Sequence, residues 1–239
     1  MPSYNSGPQL AATIHKASAQ WEHVWVCVDG STDGSDILAE ARAPAGTRFL
    51  RMTRNVGKGG AFLASLRIAL NDGFSHVLLM DSDGQHPAGM IRRYMELSKS
   101  YPKACICGVP KFGPDAPRER VKGRLVGNFF ATLETLGTGA EDSLFGFRLY
   151  PIVPALRIME SIRSGRRFDF DTVLAVRLAW AGVSFINVST PVSYPKRAEG
   201  GVTHFKYFRD NLLLIAAHTR LLLEMPFWIP SLLKPRASA

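Results

Sequence analysis

Cysteine is scarce in this sequence: Cys27, Cys105 and Cys107 are the only three in 239 residues. Three cannot build a disulfide framework, and the Cys105-x-Cys107 spacing offers too few ligands for structural zinc. All three lie in apolar, strand-like runs and read as reduced core residues of a cytosolic protein. Long hydrophobic runs are also missing. The most apolar segment, Asn211 to Leu233, is interrupted by His218, Arg220, Glu224, Pro226 and Pro230, whereas a membrane-spanning helix needs about 20 apolar residues. The first twenty residues are polar and hold no continuous apolar stretch, so no secretory leader is read there. Neither a low-complexity tract nor a fixed-period repeat occurs, and with 46% hydrophobic residues the chain can bury one globular core.

Negative charge is in short supply, with 29 Lys and Arg against 20 Asp and Glu, a formal net charge of +9. The excess is concentrated in two places. Arg92 to Arg124 carries a net +6 and Lys196 to Ala239 a net +4, which leaves the rest of the chain slightly acidic. Such segments are either solvated helix faces or a surface for an anionic partner. The basic residues are not interleaved with a recognised DNA or RNA motif, so nucleic acid is not the expected partner.

Short apolar runs alternate with longer amphipathic stretches, the pattern of an α/β fold with a mainly parallel sheet flanked by helices. Strands are predicted over Val24 to Val28, Arg48 to Met52, His76 to Met80, Ala104 to Val109 and Val183 to Val188. A helix is predicted after Ser6 and Pro8, with Leu10, Ile14 and Ala17 on one face. Others are predicted over Gly60 to Leu70, Pro87 to Ser98, Arg120 to Leu136, Asp169 to Ala181 and Tyr207 to Glu224. The chain goes from Met1-Pro2-Ser3-Tyr4-Asn5 straight into its first helix. The usual first strand of such a sheet is therefore expected to be missing, about one strand ahead of Met1.

Chemistry-bearing residues cluster at strand ends. The strand ending at Val28 runs into Asp29-Gly30-Ser31-Thr32-Asp33-Gly34-Ser35, where open α/β sheets bind nucleotides, although such turns also serve as helix caps. The next turn, Asn55-Val56-Gly57-Lys58-Gly59-Gly60, matches neither the phosphate loop nor the dinucleotide fingerprint. In Met80-Asp81-Ser82-Asp83-Gly84-Gln85, two carboxylates two residues apart can point the same way, which is costly unless a cation neutralises them. Oxygen ligands favour Mg²⁺ or Mn²⁺, with open positions for phosphates. Helix capping before Pro87 is the alternative use, though one acid would suffice for it.

In this order, together with Pro2-Ser3-Tyr4-Asn5, these motifs resemble the family-2 glycosyltransferases of the GT-A fold. The downstream part is similar to their dolichyl- or polyprenyl-phosphate mannose synthase branch: Asp142 with Gly146-Phe147-Arg148, Phe168-Asp169-Phe170-Asp171, and Pro191-Val192-Ser193-Tyr194-Pro195 through Gly201-Val202-Thr203-His204. The resemblance implies a Rossmann-like catalytic domain over residues 1–203, followed by a basic amphipathic helix and tail over 204–239. It implies that Pro2, Tyr4, Asn5, Asp29, Ser31, Lys58 and Asp81 surround a UDP- or GDP-sugar, with Arg197 and Thr203 closing over it. Asp83 and Gln85 would hold Mg²⁺ or Mn²⁺ on the diphosphate. Lys111, Arg120, Arg124 and Arg148 would receive the acceptor, and Asp142 would be the base if that acceptor were a hydroxyl.

The implied activity is inverting transfer of a sugar from its nucleotide to a lipid-linked acceptor, a polyprenyl phosphate or another membrane lipid. Three departures stand out: Val28 where the family usually has an aspartate, Phe145 where it has serine, and the missing first strand. A catalytically impaired member that binds nucleotide-sugar or serves as an assembly partner is the alternative. The aromatic and basic stretch Phe205 to Leu233 suits either an anionic membrane surface or packing against protein. Peripheral association with the inner face of the cytoplasmic membrane is expected, and a homo-oligomer is left open.

Overall fold

The computed structural model describes residues 1–113, 118–162, 167–193 and 207–234. Strands β1 (Pro2–Ser3), β2 (Trp25–Asp29) and β3 (Arg48–Met52) form one parallel sheet in that order. Strands β4 (His76–Leu79), β5 (Cys105–Phe112), β6 (Arg148–Pro151) and β7 (Phe185–Val192) form a second, ordered β4-β6-β5-β7. Within it β6 runs antiparallel to both neighbours, while β5 and β7 are parallel.

Helices cover both faces. On β5 the alternation of side chains puts Cys105 and Cys107 in one core and Ile106 in another; on β6 it separates Tyr150 from Leu149. The larger core is closed by α3 (Lys58–Asn71), α6 (Ile152–Ser161) and α7 (Phe170–Trp180), with α8 (Tyr207–Glu224) and α9 (Ile229–Leu232) contributing Ala217, Leu221 and Leu232. The opposite core packs Ile91 and Tyr94 of α4 (Ile91–Ser100) against Ile106, Phe147 and Leu149. A third joins Leu10 and Ile14 of α1 (Gln9–Ser18) and Ala39 of α2 (Ser35–Glu40) to Val26 and Val28 of β2. The last long helix, α5 (Arg118–Glu134), packs on α7 and α8. All three cysteines are free and buried, as their apolar runs suggested.

The expectation of no strand ahead of the first helix needs adjusting. Pro2 and Ser3 pair in parallel with Cys27 and Val28, so a first strand exists, two residues long, beside β2. Ser6 also differs from its expected role. No side chain caps α1; the Ser6 hydroxyl instead bonds those of Ser3 (2.9 Å) and Ser82 (2.8 Å), tying the first turn to the end of β4.

Candidate active site

The carboxyl ends of β1, β2 and β4 converge, and short side chains fasten their turns together. The Asn5 amide N–H donates to Ser31 Oγ (3.1 Å), and Asn5 Oδ1 accepts from the Thr32 amide (2.8 Å). Asp33 accepts from the amides of Gly7 (3.2 Å) and Ser35 (3.1 Å). Asp29, 3% exposed, accepts from the amides of Val56 (2.7 Å) and Gly57 (2.9 Å). Its carboxylate therefore sets the turn before α3. Gly30 has φ +67°, and a Cβ there would lie 2.6 Å from the Asn55 nitrogen, so glycine lets the two turns touch. Tyr4 is left partly exposed at the mouth of this region. Val28, a departure from the resembling family, is a core residue against α1 and α2.

At the head of α3, Lys58 Nζ lies 2.8 Å from Asp81 Oδ1 and 2.8 Å from Asp171 Oδ2. Burial works against the ammonium, but Asp171 and Asp81 outweigh it and hold the Lys58 pKa above its usual range. Burial likewise opposes ionisation of Asp81, yet the charges of Lys58 and His86 bring that carboxyl down to about 2. Asp83 behaves oppositely: burial, then the neighbouring Asp81 charge, push it up to about 6. Its Oδ1 accepts from the Gln85 amide (3.0 Å), while the Gln85 carbonyl accepts from Ser193 at the end of β7 (3.2 Å). His86 Nδ1 accepts from the Asp81 amide (2.9 Å), its ring stands edge-on to Phe145 and Phe147, and burial lowers its pKa to about 4, so it is neutral near pH 7.

Asp142 organises the other wall. One carboxylate oxygen accepts from Arg124 (2.5 Å) and from the amides of Leu144 (3.0 Å) and Phe145 (2.7 Å); the other accepts from Asn128 (3.0 Å). Arg124 also stacks over Phe112 at the end of β5, 5.6 Å from the ring centre. Lys111 beside it is exposed. Arg148, expected to meet the acceptor, is instead fully buried; its guanidinium donates to the carbonyls of Asp171 (2.7 Å) and Asp142 (2.8 Å) and to Tyr150 (3.4 Å). It joins the 142–147 turn to α7 from inside the core. Phe145, the second departure, is buried over Gly108, where a Cβ would come within 2.6 Å of its ring.

The structure thus gathers Tyr4, Asn5, Asp29, Ser31, Lys58, Asp81, Asp83 and Gln85 onto neighbouring strand-end turns, and Arg124 onto Asp142. The side chain of Arg120, with Arg197 and Thr203, lies outside the described residues. Sequence reasoning assigned no role to Asp171, Asn128 or His86. Asp171 lies in the Phe168-Asp169-Phe170-Asp171 motif and His86 directly follows Met80 to Gln85, whereas Asn128 becomes visible only once α5 meets the 142–145 turn. Among the described residues no three His, Cys, Asp or Glu side chains are arranged to hold a metal. The donor set still suits a hard divalent cation: Asp83 is a carboxylate whose charge a cation would relieve, and Gln85, two residues on, brings a side-chain amide oxygen to the same turn.

The chain is similar to several known proteins. A polyprenol monophosphomannose synthase of Mycolicibacterium smegmatis is 26% identical over 211 residues, covering 84% of this chain and 77% of the relative. An undecaprenyl-phosphate mannosyltransferase of Micrococcus luteus is 24% identical over 208 residues, covering 84% of each. Among solved structures, glucosyl-3-phosphoglycerate synthase from Mycobacterium tuberculosis shares the fold with a TM-score of 0.63 at 18% identity, over 96% of this chain and 78% of that one. Residues 1–155, carrying every strand-end carboxylate described above except Asp171, match the family described as Glycosyl transferase family 2. The chain belongs to that family and is a glycosyltransferase of the GT-A fold.

Proposed function

We propose that this glycosyltransferase moves a sugar, with inversion, from a UDP- or GDP-sugar to a lipid-linked phosphate, on the inner face of the cytoplasmic membrane. The observation that carries the acceptor class is the state of Asp142. Both its oxygens are already taken by Arg124, Asn128 and two backbone amides, which leaves it poorly placed to remove a proton. An acceptor hydroxyl would need such a base; a phosphate arrives already ionised and needs none. The names of the two relatives, a polyprenol and an undecaprenyl-phosphate enzyme, support the same class.

In this reading the turns bearing Tyr4, Asn5, Asp29 and Ser31 border the nucleoside, and Lys58 and Asp81 lie beside the ribose and diphosphate. Asp83 and Gln85 would hold Mg²⁺ or Mn²⁺, which supplies Lewis-acid stabilisation to the diphosphate. Arg197 and Thr203, which lie outside the described residues, would contact the donor as the family resemblance implies. Arg124, Lys111 and Arg120 attract the acceptor phosphate. Its oxygen attacks the anomeric carbon from the face opposite the diphosphate, the new C–O bond forms as the old one breaks, and the nucleoside diphosphate leaves with the electron pair.

Nucleotide-sugar binding with and without Mn²⁺, for wild type and Asp83→Ala, tests the donor half. Metal-dependent binding lost in the variant is expected, and its absence in wild type removes the reading. Turnover of UDP- and GDP-sugars with polyprenyl phosphate tests the acceptor half. Tight, metal-dependent donor binding with no turnover on any lipid acceptor would instead identify a binding or assembly partner.

A further inference from the structure

Helix α5 has two working sides. Toward the candidate site it presents Arg124 and Asn128, both bonded to Asp142, and toward the core it buries Ala131 and Glu134. Away from both it exposes Leu125 (66%), Val126 (59%), Phe129 (65%) and Leu133. Spacings of three and four residues set these four on one stripe. Helix α8 repeats the arrangement. Asp210, Ala217 and Leu221 are buried, while Phe208 (79%), Leu212, Ile215 and Leu223 are exposed on the opposite side.

The two stripes belong to one surface. The helices pack on each other, with His218 Nδ1 2.8 Å from Glu134 Oε1 and the Phe130 and His218 rings 5.5 Å apart. Both also pack on α7, and Ala131, Ala217 and Leu221 share one core. With their inner faces on a common floor, their outer faces look outward together. Eight large exposed apolar side chains on two helices packed side by side are unusual on a monomer and mark a contact surface.

Charge selects the occupant. The first of the two basic segments covers the opening turns of α5, where Arg118, Arg120, Lys122 and Arg124 stand against Glu119 alone, whereas on α8 Arg209 and Arg220 balance Asp210 and Glu224. Lys122 is exposed beside Leu125 and Val126. Among the described side chains of the two helices no acid is exposed: Glu134 and Asp210 are buried, and Glu224 is held by Arg177. A protein partner or a second copy would gain from mixed charge at the rim. An apolar stripe whose α5 end is basic fits an anionic lipid surface.

We infer that α5 and α8 together form a seat for an anionic bilayer, with α5 holding the Arg124–Asp142 wall against the headgroups. This rests on the lipid-acceptor reading above and adds an orientation to it. Arg124 adjoins Leu125 in sequence, so its guanidinium lies within about one helix diameter, ~10 Å, of the seated stripe. A lipid phosphate can then reach the site without its chain leaving the membrane.

Co-sedimentation of the full chain with phosphatidylglycerol–phosphatidylcholine vesicles, against phosphatidylcholine vesicles alone, tests the seat. Wild type is expected to pellet with the anionic vesicles. Phe129→Asp and Phe208→Asp, one on each helix, are each expected to weaken partition by about tenfold or more, while thermal melting and nucleotide-sugar binding stay as in wild type. If either variant fails to fold, Leu125→Asp and Ile215→Asp take its place. Wild type left in the supernatant overturns the seat, as does partition untouched by changes on α5 or a dimer dissociated by the same changes without vesicle binding. Vesicle binding with no nucleotide-sugar binding leaves the seat standing and removes the transferase reading instead.

Discussion

The ammonium of Lys58 and the carboxylate of Asp171 meet at 2.8 Å although 113 residues separate them in sequence. The same ammonium reaches Asp81. One cation thus links the head of α3, the end of β4 and the start of α7. Glycine at 146 makes this geometry accessible, because a Cβ there would sit 2.5 Å from Lys58 Nζ.

Removing the cation leaves two carboxylates facing each other with little water. Lys58→Met is expected to cost on the order of 3 kcal/mol of stability in denaturant titration, and Lys58→Met with Asp171→Leu to recover much of that loss. Gly146→Ala is the finer probe. The long lysine side chain can swing aside, so the fold is expected to survive while nucleotide-sugar affinity falls about tenfold. Unchanged affinity in Gly146→Ala would mean that the bridge is scaffold and not part of donor binding.

Asp83 gives the site a pH dependence. Burial and the Asp81 charge raise it to about 6, so above that pH it is ionised and able to hold a cation. Mn²⁺-dependent donor binding, followed calorimetrically, is expected to fall as pH drops through about 6. For stability without metal the sign is reversed. A carboxyl whose folded pKa exceeds its unfolded value stabilises below the unfolded value, and that contribution is lost as pH rises through about 6. Asp83→Asn is expected to flatten both trends, and a binding profile with the same midpoint in the variant would assign the titration to another group.

Asp142 separates two roles by kinetics. As the holder of Arg124 and of the 144–145 turn, its replacement by Asn is expected to raise the acceptor KM about tenfold, with a smaller change in kcat and no change in the pH profile of kcat. A general base would instead contribute roughly 10²–10⁴-fold to kcat and its removal would take away the acidic limb of that profile.

What the sequence disclosed follows from how local each signal is. Strand β3 and helix α8 fall on the predicted residues, Arg48–Met52 and Tyr207–Glu224, because their patterns are uninterrupted. Strand β6 was missed because it starts at Arg148, a charged residue that reads as surface until buried carbonyls from Asp142 and Asp171 satisfy it. Helix α6 follows at once from Pro151 and carries Pro154 in its first turn, where proline is tolerated but reads as a breaker. The strand-end carboxylates were legible one turn at a time. Their partners, Asp171 for Lys58 and Asn128 for Asp142, lie on distant helices, and no spacing in the sequence announces such a meeting.

The space beside β1 carries the last expectation. A cavity of about 120 Å³ is lined by Trp25 of β2, Phe62 of α3 and Val77 of β4. Among the described residues strand β4 is paired on its β6 side and not with β1 or β2, so the cavity lies at an unpaired strand edge. A larger apolar side chain on its lining removes empty space without burying a polar group. Val77→Ile is therefore expected to raise Tm by about 2 °C in thermal melting. An unchanged or lower Tm would show that the space is closed to a further methyl group.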